Sequence, residues 1–165
     1  MREILFRGKR KDNGEWVEGC LLEQDNPEYH AYIVKSFKAE MDNRCMDILE
    51  CDMEEVDPAT VGQYTGLKDK NGKRIFEGDI VDLECDADLN ELWVFEFGNC
   101  GGVQNVVHEV GYMGFYLRPI SDNAIHARDY GQRDDPVYYL NAFRLRTIGN
   151  IHDNPEMLNG GADNA

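Results

Sequence analysis

Residues 63–83 have the sequence QYTGLKDKNGKRIFEGDIVDL, which contains two tight-turn signals on either side of a short apolar run. Asn71-Gly72 is the first signal, because asparagine and glycine accept the positive φ that a hairpin turn requires. Gly78-Asp79 is the second, since glycine permits the necessary φ and the aspartate can accept hydrogen bonds from backbone amides. Ile80-Val81 then begin an apolar run. The stretch therefore predicts a hairpin followed by a turn that leads into a further strand.

The chain before this stretch has the same organisation of short apolar runs and turns. Asn13-Gly14 separates the first two runs and predicts a hairpin. Asp57-Pro58 predicts an N-cap followed by proline at the first helical position, with room for one helical turn before Gly62. The predicted strands of this part are residues 4–6, 16–22, 31–37 and 45–51.

The chain after residue 83 also predicts short strands. Trp93, Phe95 and Phe97 alternate with Val94 and Glu96, which is typical of a half-buried strand with Val94 on the open face. The polar run 123–136 predicts a loop. Many short strands with regular turn signals favour a small barrel or sandwich. The other strands predicted here are residues 103–110, 114–117, 137–140 and 144–148.

Composition excludes several classes of protein. The chain has 165 residues, with 17 basic and 32 acidic side chains and a net charge of −15. This balance argues against a general polyanion binder, because phosphate contacts need lysine and arginine. No apolar run reaches the roughly 18–20 residues that a membrane-spanning helix needs, and the N-terminal apolar stretch is too short for a signal peptide. We therefore expect no membrane association and a cytoplasmic protein.

The five cysteines favour reduced thiols over disulfides or a metal site. An odd number without a signal peptide indicates a reducing compartment. Zinc chemistry uses close ligand pairs such as C-x2-C, and no pair here has that spacing. No H-E-x-x-H, G-x-S-x-G or Walker A pattern occurs either. We expect no cofactor, no structural metal and no enzymatic activity.

Acidic residues are concentrated in two stretches of the chain. Residues 75–117 contain no lysine or arginine, and residues 40–57 contain eight acids against Arg44 alone. Three interpretations remain open: a solvated face that maintains solubility, a surface for a basic protein partner, and a site for a hard divalent cation. The acids that alternate, and would share one side of a strand, are Asp82, Glu84, Asp86 and Asp88.

Three motifs resemble the YopX-like family of phage and prophage proteins. They are Phe6-Arg7-Gly8-Lys9 with Gly14, Trp16 and Gly19; the central block of residues 56–81; and the closing residues 148–158. The resemblance implies an intracellular, mainly β protein with an SH3-like, partly open barrel in its second half, and it carries over no catalytic residue. The predicted units are an N-terminal β subdomain (1–57), a barrel subdomain with a C-terminal turn (58–158) and a flexible tail (159–165).

The function predicted from the sequence is a non-enzymatic, phage-encoded interaction module with an unknown protein partner, which a host could encode. The alternatives are an acidic mimic of nucleic acid that binds a basic host protein and a carboxylate- or metal-dependent enzyme. Direct nucleic-acid binding would depend on the basic segment 7–11 against the overall charge, and we do not expect it. A homo-oligomer is compatible with each function, because strand edges need cover. The candidate binding residues are Tyr64, Thr65, Gly66, Asp69, Glu77, Gly78, Asp79, Asp82 and Glu84.

Overall fold

The computed structural model describes residues 3–25, 28–41, 45–83, 91–100, 112–120 and 145–159. These residues form β-strands and short 3-10 turns, the latter at Pro58–Thr60 and Pro155–Asn159, which confirms the mainly β class. The strands are β1 (Phe6–Lys9), β2 (Trp16–Gln24), β3 (His30–Met41), β4 (Met46–Val56), β5 (Gly62–Lys68), β6 (Arg74–Phe76), β7 (Asp79–Leu83), β8 (Glu91–Cys100), β9 (Tyr112–Pro119) and β10 (Leu145–Asn150).

The described strands form two antiparallel sheets. The first has six strands in the order β4-β3-β2-β1-β5-β6, and the second has four in the order β10-β7-β8-β9. Neither sheet closes on itself within the described residues. The chain divides into two compact units, Met1–Gly66 and Leu67–Ala165. The first unit includes most of β5, because Phe6 and Arg7 of β1 pair with Gln63 and Gly62.

The first unit is built on the β1–β2 hairpin. Gly14 has a φ of +73° in the turn, which confirms the Asn13-Gly14 prediction, and Lys9 pairs with Trp16 directly after it. The core of the unit consists of Ala31, Ile33 and Val56, each fully buried, with partly buried apolar side chains around them. These surrounding side chains are Phe6, Val17, Leu21 and Val61.

The Asp57-Pro58 prediction is also confirmed. The Asp57 carboxylate accepts a hydrogen bond from the Ala59 amide at 3.0 Å, which satisfies a donor that the turn leaves open. The hydroxyl of Thr60 donates to the Asp57 carbonyl at 2.7 Å and accepts from the Lys9 amide at 2.9 Å. The cap therefore attaches the end of β4 to β1 as well as starting the turn.

The second unit has its core on one face of the β10-β7-β8-β9 sheet. Five buried apolar residues form this core, and Leu67 and Leu117 pack against it. β9 contains the predicted strand 114–117, and β10 covers most of the predicted strand 144–148. The predicted strands 103–110 and 137–140 and the predicted loop 123–136 lie outside the described residues. The five core residues are Ile75, Val81, Trp93, Phe95 and Leu145.

The predicted half-burial of β8 is wrong at two positions. Val94, expected on the open face, is 0% exposed, whereas Phe97 is 44% exposed. Val94 lies opposite Ile80 of β7, which is also fully buried, so both faces of the strand are covered at this point. A strand that is buried on both faces has a continuous apolar run instead of an alternating one, and residues 92–95 form such a run.

Gly19 of β2 has no room for a side chain, which gives a direct test of the first sheet. A Cβ atom there would lie 2.2 Å from the Val34 carbonyl oxygen, and backbone cannot give way cheaply. We expect Gly19→Ala to lower the free energy of unfolding by about 2–3 kcal/mol through overpacking. Gly98→Ala is the matched control, because its Cβ would make ordinary contact with Tyr116 at 3.4 Å. Equal effects in urea denaturation would contradict the register of β2 and β3.

Candidate functional site

The carboxylate of Asp69 connects the β5–β6 turn to β10. One of its oxygens accepts hydrogen bonds from the amides of Asn71 (2.8 Å) and Lys73 (2.9 Å). The other accepts from the amide of Thr147 at 3.2 Å. The Asp69 amide donates to the Lys73 carbonyl at 2.8 Å, and Gly72 has the positive φ of +80° that was predicted for the turn. Asp69 is therefore held by backbone amides from two parts of the second unit.

The surroundings of Asp69 favour its charged form. Burial raises the pKa of this carboxyl, but the hydrogen bonds from the backbone amides of Thr147, Lys73 and Asn71 outweigh burial and hold the pKa below its ordinary value. Asp69 is only 5% exposed. It is thus a buried anion satisfied by neutral donors, which is the arrangement of a structural carboxylate.

The Gly78-Asp79 turn lies against the closing motif of the chain. Gly78 has a φ of +79°, and its carbonyl accepts from the Ile151 amide at 2.9 Å. The buried Asp79 carboxylate accepts from the Phe76 amide at 2.8 Å, as the turn prediction requires. Asp79 also lies opposite Asn150 in the β7–β10 ladder. Two of the three motifs that carry the family resemblance therefore meet at this turn.

Asn150 organises the closing motif itself. Its side-chain oxygen accepts from the amides of His152 and Asp153, both at 2.9 Å, and its side-chain nitrogen donates to the Asp153 carboxylate at 2.7 Å. Gly149 is required beside it, because a Cβ there would lie 2.4 Å from the Asn154 side-chain oxygen. His152 thus lies in a turn, as the sequence predicted.

The remaining signature residues lie in β5 and in the turn before Asp79. Tyr64 and Thr65 are buried, and the Tyr64 amide donates to the Leu5 carbonyl at 2.8 Å. Gly66 has a φ of +87°, and Glu77 is half-buried. The structure brings Gly78 and Asp79 to the closing motif and Asp69 to β10, and it places the other signature residues in packed strand or turn positions.

Asp82, the first acid of the predicted alternating row, does not lie on a solvated surface. Asp82 is buried and forms an ion pair with Arg146 of β10 at 2.5 Å. Glu96 of β8 accepts from Arg118 of β9 at 2.6 Å and from the Tyr116 hydroxyl at 2.7 Å. Glu84, Asp86 and Asp88 lie outside the described residues. Residues 75–117 contain no lysine or arginine. Asp82 and Glu96 of this stretch therefore pair with arginines that lie outside it in the sequence.

The basic segment near the N-terminus is engaged within its own unit. The buried Arg7 guanidinium lies 4.6 Å from the centre of the Trp16 ring, and the Lys9 ammonium lies 5.7 Å from it. Arg10 forms ion pairs with Asp12 at 2.6 Å and Glu54 at 3.2 Å. The fourth cation, Lys11, contacts Glu55 at 2.6 Å.

A long exposed hairpin is the feature that sequence reasoning missed. Every residue of 36–41 on β3 and 46–53 on β4 is exposed, and we call these residues the β3–β4 arm. The predicted strands, 31–37 and 45–51, end well short of the observed ones, because the charged residues between the apolar positions are disfavoured in strands. The large apolar side chains of the arm are at least 46% exposed: Phe37, Met41, Met46, Ile48, Leu49 and Met53.

The register separates the two faces of this hairpin. Phe37 lies opposite Cys51, and Val34 lies opposite Met53; because alternate residues of β4 share a face, these four side chains form one apolar face. Glu50, Asp52 and Glu54 are on the other face. There Lys38 contacts Glu50 at 2.5 Å, and Lys35 contacts Asp52 at 3.0 Å and Glu54 at 3.1 Å. The hairpin is amphipathic although all of the arm is in solvent.

The described residues contain neither a metal-binding cluster nor a membrane-spanning helix. In the part of the chain that the structure describes, no group of three or more histidine, cysteine or acidic side chains could hold a metal ion. The described residues include no helix that is long and apolar enough to span a membrane. Cys20, Cys45 and Cys51 are exposed thiols.

Comparison with known proteins agrees with the motifs. The family model described as YopX protein matches residues 5–159. The chain belongs to the YopX family. Comparison with curated protein sequences gives no match. The crystal structure of protein EF1440 from Enterococcus faecalis is similar with a TM-score of 0.53 and 23% identity, over 96% of this YopX-family chain and 99% of that one. At this identity the likeness shows a shared fold.

Removal of the Asp69 charge tests its structural role. Asp69→Asn replaces one acceptor oxygen by a donor that faces backbone amides, so we expect the free energy of unfolding to fall by about 1.5–3 kcal/mol. Asp25→Asn changes an exposed acid and should stay within about 0.5 kcal/mol of wild type. Urea denaturation at pH 7 measures both. A loss of less than about 0.5 kcal/mol in Asp69→Asn would refute the assignment.

The lowered pKa of Asp69 predicts a particular dependence on pH. A carboxyl whose pKa is lower in the folded state contributes stability above its unfolded pKa, about 3.9, and loses it as the pH falls through the folded pKa. The stability difference between wild type and Asp69→Asn should therefore be constant from pH 8 to 6 and shrink below about pH 4. A difference that grows on acidification would contradict the hydrogen bonds described for this carboxylate.

Proposed function

We propose that this chain is a non-enzymatic protein-interaction module, encoded by a phage or integrated element and acting in the cytoplasm of a bacterial host. The observation that carries the proposal is the β3–β4 arm, in which six large apolar side chains are exposed. Contiguous apolar surface on a soluble domain marks interaction sites more often than scattered apolar residues do. The partner would cover the face that contains Phe37, Cys51 and Met53.

The signature residues support a module rather than an enzyme. The carboxylates of Asp69 and Asp79 accept hydrogen bonds from backbone amides, and Asp82 is paired with Arg146. A general acid or base needs an oxygen that can reach a substrate proton, whereas these oxygens are used by the protein. These hydrogen bonds and this ion pair stabilise the second unit, which explains why the motifs contain these residues.

The second unit is part of the same proposal. We assign residues 58–158 to an SH3-like, partly open barrel on the basis of the family resemblance. The four-stranded antiparallel sheet with its apolar core on one face is compatible with that assignment, since a barrel buries the inward face of its strands.

An acidic mimic of nucleic acid is the second candidate function. The net charge of −15 and the acids of β4 favour a basic partner protein. Direct nucleic-acid binding is not part of either proposal, because Arg10 and Lys11 are paired with acids and Arg7 is buried beside Trp16. The two candidates differ in salt dependence: electrostatic binding weakens strongly with ionic strength, whereas apolar binding does not.

Capture of partners with arm variants tests the proposal. The purified protein serves as bait for a bacterial host lysate at low and at raised salt, beside the double variant Phe37→Ser, Met53→Ser. We expect wild type to retain a partner at both salts and the double variant to lose it, because the apolar face is gone. Leu22→Ser is the matched control, since Leu22 is an exposed apolar residue of β2.

Three other outcomes have distinct meanings. A partner that is equally retained by the double variant would refute the arm as the interface. A basic partner that wild type loses at raised salt would favour mimicry. If Leu22→Ser loses the partner to the same extent, the loss reflects a general effect of surface polarity. That result would refute the assignment of the interface to the arm. Circular dichroism and urea denaturation should show that all variants keep the wild-type fold, because the substituted side chains are exposed.

A further inference from the structure

Within the described residues, the outer edge of β4 is open along most of its length. β4 is the end strand of its sheet, and no described strand lies beyond it. The described contacts to this edge are at its end: Arg10 forms a bridge with Val56, the Lys11 amide donates to the Glu55 carbonyl at 3.0 Å, and, just after the strand, the Asp57 amide donates to the Lys9 carbonyl at 2.8 Å. Long exposed edges are templates for a further strand, and proteins normally shorten or block them. Residues 46–53 are left exposed, and the register shift at Lys38/Ala39 makes residues 50–56 the longest run of β4 in which every residue pairs with one of β3.

The charge on this edge selects the kind of strand that fits. The eleven residues of β4 include Asp47, Glu50, Asp52, Glu54 and Glu55 and no basic residue. Lys35 and Lys38 contact these acids from the β3 side. The side chains of Glu50 and Asp52 are nevertheless 68% and 56% exposed, so their carboxylates can take a second cation from the open side.

A second copy of this chain fits the edge poorly in the register centred on Cys51. Antiparallel pairing of β4 with itself about a twofold axis places residues of the same face opposite one another. With Cys51 at the axis, Glu50 of one copy would lie opposite Asp52 of the other, and like charges directly opposite destabilise a sheet. The net charge of −15 on each copy adds to this repulsion. A strand with basic side chains on this face would gain ion pairs instead.

We propose that the edge of β4 over residues 46–53 binds, by strand addition, an extended segment of a partner protein in which Lys or Arg alternates with large apolar residues. The basic side chains contact Glu50 and Asp52 on the charged face, and the apolar ones extend the face of Phe37, Cys51 and Met53. Backbone hydrogen bonds to the edge provide affinity, and the alternation provides specificity. This inference rests on the proposed function and names the partner class for the same arm.

Synthetic peptides test this inference without an identified partner. The probe is a terminally blocked, fluorescently labelled nine-residue peptide that alternates lysine and valine, titrated with the full chain at physiological salt. Three peptides are compared with it: one with glutamate in place of lysine, one with the same composition but lysines and valines in separate blocks, and one N-methylated on alternate backbone nitrogens. We expect the alternating basic peptide to bind at least tenfold more tightly than each of them. Equal binding of the block or N-methylated peptide would mean charge attraction without strand pairing and would overturn the proposal.

Variants locate the binding on the chain. Glu50→Gln with Asp52→Asn should weaken binding of the probe at least fivefold, and Phe37→Ser with Met53→Ser should do the same. The matched charge control, Asp25→Asn with Glu28→Gln, removes two exposed acids outside the arm and should leave binding within twofold of wild type. Equal weakening by the control pair would place the peptide elsewhere on the acidic surface and would overturn the assignment to β4.

The failure of this inference differs from the failure of the proposed function. If none of the peptides binds but the arm variant still loses its captured partner, strand addition is wrong and the interaction module stands. If sedimentation shows a wild-type dimer that Phe37→Ser with Met53→Ser converts to monomer, a second copy occupies the arm and the basic-segment proposal is wrong. If the probe binds and the arm variant keeps every captured protein, those proteins bind elsewhere and the proposed function needs revision.

Discussion

The hydrogen bonds of the buried Asp69 carboxylate are the interaction on which the structure of the second unit depends. The carboxylate is a single anion with backbone amide donors from the β5–β6 turn and from β10, so it joins segments that lie far apart in the sequence. A neutral side chain of the same size cannot accept from all of these amides, and an unsatisfied buried donor is costly. The Gly78-Asp79 turn and the Asn150 turn extend the same principle, since each satisfies backbone groups through a short polar side chain.

Acidic side chains in both units form ion pairs with cations of other strands or segments of the same unit. In the first unit the acids of β4 pair with cations of β3 and of the N-terminal segment, and in the second unit Asp82 and Glu96 pair with arginines of neighbouring strands. Cross-strand pairs of this kind contribute modestly to stability. The pairs between β3 and β4 lie on one face of the β3–β4 arm, and the other face is apolar and exposed.

Local turn chemistry was predictable because it depends on adjacent residues. Asn13-Gly14, Asp57-Pro58, Asn71-Gly72 and Gly78-Asp79 each specify φ values or a side-chain acceptor within four residues, and the structure confirms all four. Val94 was wrongly expected to be exposed because the burial of its face depends on what covers the sheet. The length of the β3–β4 arm was missed because lysine and glutamate lower the strand propensity of isolated segments, while cross-strand ion pairs restore it only after the strands meet.

The sequence alone determined the mainly β class, the positions of the tight turns and the family, since each depends on residue types at short and ordered spacings. Only the tertiary structure decided which acids are buried and paired, which apolar residues remain in solvent and where a sheet edge stays open. Those properties arise from contacts between residues far apart in the chain, such as Asp82 with Arg146 or Lys11 with Glu55. No short window of sequence contains both partners in such a contact, so neither the hydrogen bonds around Asp69 nor the amphipathic arm was visible before the strands were placed side by side.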